Sequence, residues 1–243
     1  MILEAQKLCK SFGGIKAVNM VDLYISEGEI SSIIGPNGAG KTTLFNLLTR
    51  RLNCDSGQII FKGDDISEMP SYMVSQAKLS RSFQITNIFP MLSVFDNVQL
   101  GIITSKRKNF SIFSKSNTFA IKETKAILDS VGLIDQKDVI SRKLSHGDQK
   151  KLDIAIALAC QPDLLLLDEP SSGMSPDETK AITNLIQNLA RQRGLTLVFI
   201  EHDMSVVFTI SDKIRVMHQG KIIAEGTPEE IRRNEQVQSV YLG

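Results

Sequence analysis

Gly35-Pro36-Asn37-Gly38-Ala39-Gly40-Lys41-Thr42 is the most specific motif in this sequence for predicting the fold. It satisfies the pattern G-x-x-x-x-G-K-[ST], which chance produces in roughly one chain of this length in a hundred. The isoleucine-rich segment 30–34 predicts a strand directly before it, and the mainly apolar segment 43–48 predicts the start of a helix directly after it. A glycine-rich turn between a strand and a helix is the setting in which this pattern binds phosphate groups.

The residue types in this loop explain how phosphate would be held. Glycines let backbone N–H groups surround phosphate oxygens, and the following helix adds the positive end of its dipole. Lys41 offers a point charge to the β- and γ-phosphates, and the Thr42 hydroxyl is a ligand for Mg²⁺. The alternative is an incidental glycine turn. The predicted nucleotide-binding residues are Gly35, Pro36, Asn37, Gly38, Ala39, Gly40, Lys41, Thr42 and Thr43.

Two further apolar runs end abruptly in charged residues. Residues 164–167 are followed by Asp168-Glu169, and residues 195–200 are followed by Glu201-His202. Short apolar runs are typical of parallel strands buried on both faces, and ligands of such sheets bind beyond the carboxyl ends of the strands. Asp168 is therefore the predicted acidic partner of Mg²⁺, and Glu169 the predicted general base for the attacking water. Taken alone, an Asp-Glu pair at a strand end is more often a helix cap or a surface pair.

The remaining pattern divides the chain into a core and an insertion. Residues 21–25 alternate in period two, which predicts a strand-rich opening. From about residue 87 to 160 the pattern is helical, because apolar residues recur near helical spacing. Two sets show this, Ile121, Lys125, Leu128 and Val131 and then Leu152, Ala155, Ile156 and Ala159. We predict a core at 1–85 and 161–243 and a helical subdomain at 86–160.

Composition limits the possible partners. The 243 residues include 28 Lys+Arg and 27 Asp+Glu, a net charge of +1, and 42% are apolar, so disorder and collagen-like repetition are excluded. A near-neutral chain lacks the basic field that drives nucleic-acid binding, and we expect no nucleic-acid partner. We also expect neither a membrane span nor a secretion signal.

Local composition adds two smaller expectations. The three cysteines, Cys9, Cys54 and Cys160, are scattered, which argues against a disulfide framework or a zinc site and fits a reducing cytosol. The stretch 104–118 is basic and has no acidic residue. It predicts a solvated loop, with contact to anionic lipid or a partner as the alternative. Its basic residues are Lys106, Arg107, Lys108 and Lys115.

Further motifs around the phosphate loop make the chain resemble the ATP-binding subunits of ABC transporters over nearly its whole length. Leu144-Ser145-His146-Gly147-Asp148 resembles the family signature L-S-G-G-Q. The resemblance implies that Gln84 is the Q-loop residue, which acts in catalysis and ligates Mg²⁺. It also implies that His202 is the catalytic switch histidine and that Phe12 stacks on adenine. Singly, each of these three residues would more often be structural.

The resemblance implies an α/β fold, namely a P-loop NTPase core with a mainly parallel sheet, an N-terminal antiparallel β portion and an inserted helical subdomain. It implies ATP and Mg²⁺ as cofactors and a cytoplasmic position on the inner face of the cell membrane. The implied partners are a second ATP-binding subunit, transmembrane permease subunits and an external solute-binding protein. The second subunit would be a copy or a paralogue, related by a two-fold axis. The signature residues of one subunit would then contact the nucleotide site of the other. Those residues are Ser145, His146, Gly147 and Asp148.

The signature departs from the family form, and so does the D-loop. Ser145 can cap the following helix, with Asp148 three residues later in a capping-box-like arrangement, so helix capping alone accounts for much of this sequence. In the functional interpretation, Ser145 and the Gly147 backbone contact the γ-phosphate, Asp148 faces away, and Gln149 replaces the family's glutamine. Ser175 stands where the family D-loop usually has aspartate, which puts the cross-interface contact of that loop in doubt.

Within the family, the sequence is most similar to the uptake group for branched-chain amino acids and urea. The ATPase of lipopolysaccharide export shares part of the tail and is the alternative. The residues that carry the uptake resemblance are 82–84, 88–98, 144–147, 173–174, 225–231 and 240–243. A soluble ABC ATPase of DNA repair or translation would usually have paired cassettes or long insertions, and a GTPase would have an N-K-x-D motif. Neither feature is visible in the sequence.

An apolar cluster follows Gln84 at the junction of the core and the helical subdomain. Because the family receives a short permease helix there, the cluster predicts a partner groove. The alternative, that these side chains only pack the subdomain, is equally weighted. The cluster comprises Ile85, Ile88, Phe89, Met91, Leu92 and Phe95.

Overall fold

A mainly parallel sheet forms the centre of the fold. The computed structural model describes residues 1–82, 88–105 and 116–242. Adjacent strands of the sheet are parallel except β9 and β10. In spatial order the strands are β10 (Lys221–Gly226), β9 (Lys213–His218), β3 (Ile30–Ile34), β8 (Thr196–Ile200), β7 (Leu164–Asp168) and β6 (Leu79–Arg81). Every residue of β7 and β8 is buried, as their apolar runs predicted for strands covered on both faces, and every residue of β3 is buried too.

A second sheet, formed near the N-terminus, is antiparallel. Its strands are arranged β2 (Ile15–Ile25), β1 (Leu3–Phe12), β4 (Ser56–Phe61) and β5 (Asp64–Asp65). In β2 the side chains of Val21, Leu23 and Ile25 are buried, whereas Asp22 and Tyr24 between them are exposed. This alternation is the one predicted from the sequence, because successive side chains of a strand point to opposite faces.

Helices cover both faces of the parallel sheet. One face packs with the antiparallel sheet and α1 (Lys41–Leu48), through residues such as Phe45 and Leu166. The opposite face packs with α6 (Pro176–Arg193) and α7 (Met204–Ile210), through residues such as Leu165 and Ile186. The remaining helices of the core are α2 (Ser71–Gln76), α8 (Pro228–Arg233) and α9 (Glu235–Leu242).

The helical subdomain is inserted between two neighbouring strands. The chain leaves the sheet after β6 and returns in β7, its parallel neighbour. Between them lie α3 (Val94–Ser105), α4 (Ser116–Ser130) and α5 (His146–Ala159). These features confirm the predicted α/β fold, with its parallel core sheet, antiparallel N-terminal portion and inserted helices.

The buried face of α4 differs from the face that the apolar spacing in the sequence predicted. Ile121 is 37% exposed, and Lys125 is also exposed, so half of the stripe expected from the sequence faces away from the core. Thr124 takes a buried position because its hydroxyl donates to the Ala120 carbonyl oxygen at 2.7 Å. The helix was predicted, but its orientation was not, because a polar residue that bonds its own helix can replace an apolar one.

Part of the Q-loop and the basic stretch have no described structure, whereas the helices and the cysteines can be compared with the predictions. Gln84 and Ile85 lie outside the described residues, and so do the basic residues of the stretch 106–115. None of the helices in the described parts of the chain is both long and apolar enough to cross a membrane. The three cysteines are free thiols.

Candidate nucleotide-binding and hydrolysis site

The predicted phosphate loop joins β3 to α1 and passes close to neighbouring backbone. Gly40 has φ +101°, and a Cβ on it would lie 2.1 Å from the Ala17 carbonyl oxygen. A Cβ on Gly35 would lie 2.1 Å from the Met217 carbonyl oxygen. Both positions require glycine, because a side chain would collide with backbone. Gly40 is also the N-cap of α1 and offers no capping side chain, so this positive helix end is open to an anion.

Lys41 is folded back onto the loop. Its ammonium donates to the Gly35 carbonyl oxygen at 2.7 Å and to that of Pro36 at 3.0 Å, and only 6% of the residue is exposed. Burial lowers the pKa of Lys41, while the nearby charges of Glu169 and Asp168 act to raise it. The ammonium therefore lies between the phosphate loop and the two carboxylates, where it can meet an anionic ligand. Thr42, the next residue of α1, is exposed, and Thr43 is half-buried.

Asp168 is a buried carboxylate at the end of β7. Its Oδ2 accepts a hydrogen bond from Arg81 Nη2 at 2.6 Å, and 1% of its side chain is exposed. Its Oδ1 is buried and has no hydrogen-bond partner among the described residues. A buried carboxylate oxygen without a donor suits a hard cation or one of its bound waters, so this side chain fits the predicted Mg²⁺.

Glu169 and His202 are brought together by adjacent strands. Glu169 follows β7 and His202 lies two residues beyond β8, and His202 Nε2 is 3.0 Å from Glu169 Oε1. The Glu169 side chain is 15% exposed and that of His202 is 46% exposed. A carboxylate in contact with an imidazole at the open end of a sheet can accept a proton from water while its partner orients it.

Glu201 is a positioning residue to which the sequence analysis gave no role. It is 3% exposed, and its Oε1 accepts from the Ser171 backbone N–H at 2.8 Å and from the Ser171 hydroxyl at 2.5 Å. Its Oε2 accepts from the His202 backbone N–H at 3.0 Å. Glu201 therefore ties the segment after Glu169 to His202. Its position at the end of an apolar run was the available signal.

The signature segment caps α5 as predicted. The Ser145 hydroxyl accepts from the Asp148 backbone N–H at 3.1 Å. The Asp148 carboxylate accepts from Gln136 at 3.1 Å and from Lys151 at 2.8 Å. The pKa of Asp148 is lowered: burial alone would raise it, but these two hydrogen bonds, the Lys151 charge and the Ser145 hydroxyl together outweigh burial. Gln149 donates to the Leu144 carbonyl oxygen at 3.2 Å, so its amide is engaged within its own segment.

The departures at His146 and Ser175 have local physical reasons. A Cβ on Gly173 would lie 3.3 Å from the His146 ring, so the large signature side chain packs on a glycine of the D-loop. Ser175 is the N-cap of α6 and forms a capping box with Glu178. Hydrogen bonds from Ser175, first its backbone N–H and then its hydroxyl, lower the pKa of Glu178. The signature and the D-loop are therefore neighbours within one chain.

Of the two remaining predicted site residues, Phe12 and Gln84, the structure describes only Phe12. Phe12 ends β1 and is 48% exposed, with the Lys10 ammonium 5.8 Å from its ring centre. An exposed ring at a strand end is available for stacking. Gln84 lies outside the described residues. Its predicted roles in catalysis and Mg²⁺ ligation stay predictions.

The sequence matches known proteins along its whole length. The pattern of the ABC transporter family matches residues 18–172, and that of the branched-chain amino acid ATP-binding cassette transporters matches residues 221–243. The chain is 37% identical to the high-affinity branched-chain amino acid transport ATP-binding protein LivG of Escherichia coli K12, covering 100% of this chain and 98% of LivG. It is 34% identical to the lipopolysaccharide export system ATP-binding protein LptB of Haemophilus influenzae, covering 100% and 97%.

The fold matches as well. The structure aligns with the crystal structure of the ADP conformation of an ATP-binding cassette of an ABC transporter, with a TM-score of 0.87 and 29% identity over 100% of this chain and 98% of that one. The chain therefore belongs to the ABC transporter family, as an ATP-binding cassette. This confirms the resemblance drawn from the signature, the phosphate loop and the switch histidine.

Proposed function

We propose that this chain hydrolyses Mg·ATP to drive uptake of branched-chain amino acids or a related small polar solute. The observation that supports hydrolysis most directly is the 3.0 Å contact between Glu169 and His202. Both residues lie at the ends of adjacent strands. The charge of Glu169 acts on Lys41 of the phosphate loop. A base, its orienting partner and a phosphate-binding cation thus share one edge of the sheet.

In this proposal, the nucleotide is held by three groups of residues. Phe12 stacks on adenine, and the loop from Gly35 to Thr43 surrounds the phosphates with backbone N–H groups. Thr42, Asp168 and Gln84 would hold Mg²⁺, which would supply positive charge to neutralise the phosphate oxygens. The Oδ1 of Asp168, which has no hydrogen-bond partner among the described residues, supports its place in this set.

Hydrolysis requires an activated water and a stabilised γ-phosphate. Glu169 accepts a proton from the water as the water oxygen bonds to the γ-phosphorus, and the bond from that phosphorus to the β–γ bridging oxygen breaks to give ADP and phosphate. His202 holds the Glu169 carboxylate in position. Lys41 stabilises negative charge on the phosphate oxygens.

A second ATP-binding subunit completes the site. Each chain has one phosphate loop and one signature, so two chains related by a two-fold axis can each present Ser145 and the Gly147 backbone to the other's γ-phosphate. Asp148 does not oppose this contact, because its carboxylate is turned to Gln136 and Lys151.

Permease subunits are the proposed mechanical partners. Phe89 is 53% exposed, Met91 is 64% exposed and Leu92 is 37% exposed, which leaves an apolar patch on the subdomain. Ile88 and Phe95 pack inward against the core and support the patch from below. An apolar patch of this kind suits the apolar face of a permease helix, at the inner surface of the membrane. A solute-binding protein would deliver the solute from outside.

Branched-chain amino acids are the proposed solutes because of the relatives. LivG is named for their transport, and it is more similar to this chain than LptB, which is named for lipopolysaccharide export. The match at residues 221–243 to a pattern of branched-chain amino acid transporters favours the same group.

Uptake by cells that carry the gene tests the proposed solute. Deleting the gene is expected to abolish uptake of labelled leucine, isoleucine and valine. The wild-type gene is expected to restore uptake, and the His202→Ala variant is not. Normal amino-acid uptake in the deletion strain, with lost urea uptake or reduced surface lipopolysaccharide, would replace this solute with one of the alternatives.

A further inference from the structure

Arg81 forms a buried ion pair with the carboxylate proposed to face Mg²⁺. It ends β6, and Asp168 ends the neighbouring β7. Its Nη2 is 2.6 Å from Asp168 Oδ2, and only 6% of the Arg81 side chain is exposed. None of the motifs that identify the family accounts for this arginine.

Two residues of α1 hold the Arg81 guanidinium. Its Nη1 donates to Asn46 Oδ1 at 2.7 Å, and its central carbon lies 5.4 Å from the centre of the Phe45 ring. Because α1 begins at the phosphate loop, Arg81 connects the helix of that loop to Asp168. A buried ion pair persists when further contacts of this kind support its charges.

We propose that Arg81 is a built-in counter-ion of Asp168 that sets how strongly nucleotide binding depends on Mg²⁺; this rests on the proposed nucleotide site. In the absence of metal, Arg81 supplies the positive charge that the buried carboxylate needs. Its bond to Oδ2 also orients the carboxylate, so that Oδ1 is the oxygen left for the metal. Arg81 is thus a positioning residue that acts through Asp168.

The sign of the effect follows from the charges. With Arg81 present, the Asp168 carboxylate is already paired, so its attraction adds less to the free energy of Mg²⁺ binding. The guanidinium also repels the Mg²⁺. Without Arg81, the buried carboxylate has lost its cation, and Mg²⁺ becomes the means of neutralising it. Loss of Arg81 is therefore expected to make nucleotide binding more dependent on Mg²⁺.

The first test compares ADP affinity with Mg²⁺ and with EDTA, using isothermal titration of the full chain. The measured quantity is the ratio of two dissociation constants of ADP, the one in EDTA divided by the one in Mg²⁺. In Arg81→Met this ratio is expected to rise by about tenfold over wild type, since charges a few ångströms apart in a partly buried site interact at this scale. Arg81→Lys keeps the charge but cannot contact Asp168 and Asn46 through two nitrogens at once, so its ratio is expected to lie between those of wild type and Arg81→Met.

A matched control removes a neighbouring charge. Arg51 lines the same cavity of about 300 Å³ as Arg81, between β6, α2 and α5, whereas the ion pair described for Asp168 is the one with Arg81. Arg51→Met is expected to leave the ratio unchanged. A similar rise in Arg51→Met would show that the effect comes from general charge rather than from the ion pair.

The second test uses thermal unfolding without nucleotide, so it does not depend on hydrolysis or transport. Arg81→Met is expected to lower the midpoint, because it leaves Asp168 buried and unpaired. Adding Asp168→Asn to that variant removes the unpaired charge and is expected to raise the midpoint again. This double variant keeps the proposal testable even if Arg81→Met alone unfolds.

Besides a similar rise in Arg51→Met, two results would overturn the proposal. One is an unchanged or reduced metal dependence in Arg81→Met, and the other is a double variant no more stable than Arg81→Met. If wild-type protein binds no Mg·ADP at all, the proposed nucleotide site fails instead. The unfolding cycle then still reports on the ion pair, which distinguishes the two failures.

Discussion

Glu169 combines an uncommon backbone conformation with a proposed chemical role. Its φ is +49°, and its N–H donates to the Ile200 carbonyl oxygen at 3.0 Å. A non-glycine residue held in this region costs free energy and fixes the direction of its side chain, which is expected where a base must be positioned. Glu169→Gln removes the base and keeps the shape, so steady-state ATP hydrolysis is expected to fall by ~10²–10⁴ with nucleotide affinity unchanged.

The control for this substitution is Glu229→Gln, the same change at an exposed glutamate of α8. It is expected to hydrolyse ATP at the wild-type rate. Near wild-type turnover in Glu169→Gln, measured as phosphate release, would move the base to another residue, with His202 the first candidate.

Lys41 makes a different contribution, because it meets the nucleotide before and during the reaction. Lys41→Ala is expected to weaken ATP binding by about 10–100-fold, the usual scale of a hydrogen bond to a charged group. Equilibrium titration with ATP measures this directly, and Lys122→Ala, at an exposed position of α4, is the control. Unchanged affinity in Lys41→Ala would show that the loop binds phosphate by its backbone alone.

At the scale of single elements, the turn before α3 presents the exposed apolar patch. Asn97 is 1% exposed and fixes this turn, because its Oδ1 accepts from the Phe89 N–H at 2.8 Å and its Nδ2 donates to the Phe89 carbonyl oxygen at 3.1 Å. The backbone is therefore held while the Phe89 ring stays outside the core. Phe89→Asp is expected to fold and to keep basal ATPase activity, but to lose assembly with the permease and transport.

Met20→Asp is the matched control for the patch, since Met20 is 54% exposed on β2, in the other sheet. Co-purification with the permease and uptake by cells are the measurements. Unfolding of Phe89→Asp would support packing within the subdomain, and normal transport by a folded variant would remove this turn from the coupling surface.

Elements with a local pattern were predictable from the sequence, and contacts between distant elements were not. The strands β7 and β8, each a single apolar run, and the loop before α1 follow from neighbouring residues. Arg81 was missed because β6 has only three residues and the partner of Arg81 lies 87 positions later. At Ser175 the sequence suggested only a lost aspartate, whereas the structure shows a serine that caps α6.

At the scale of the whole molecule, the insertion separates two parts of one proposed site. The phosphate loop and Glu169 belong to the core, whereas the signature begins α5 of the subdomain that enters and leaves between β6 and β7. One loop and one signature per chain fit two chains in a two-fold, head-to-tail arrangement. In the proposed dimer, ATP at the interface would link the two subunits, and its hydrolysis would let them separate.

ATP is proposed to close two chains into a dimer, and light scattering of Glu169→Gln with Mg·ATP measures this closure. Because this variant is expected to bind ATP but hydrolyse it far more slowly, its mass is expected to double from the 26.9 kDa of one chain, and to return to one chain when ATP is removed. Adding Ser145→Arg, which places bulk at the start of α5, is expected to prevent the doubling while ATP still binds. A Glu169→Gln variant that binds ATP and stays at the mass of one chain, or a dimer that survives Ser145→Arg, would contradict the account.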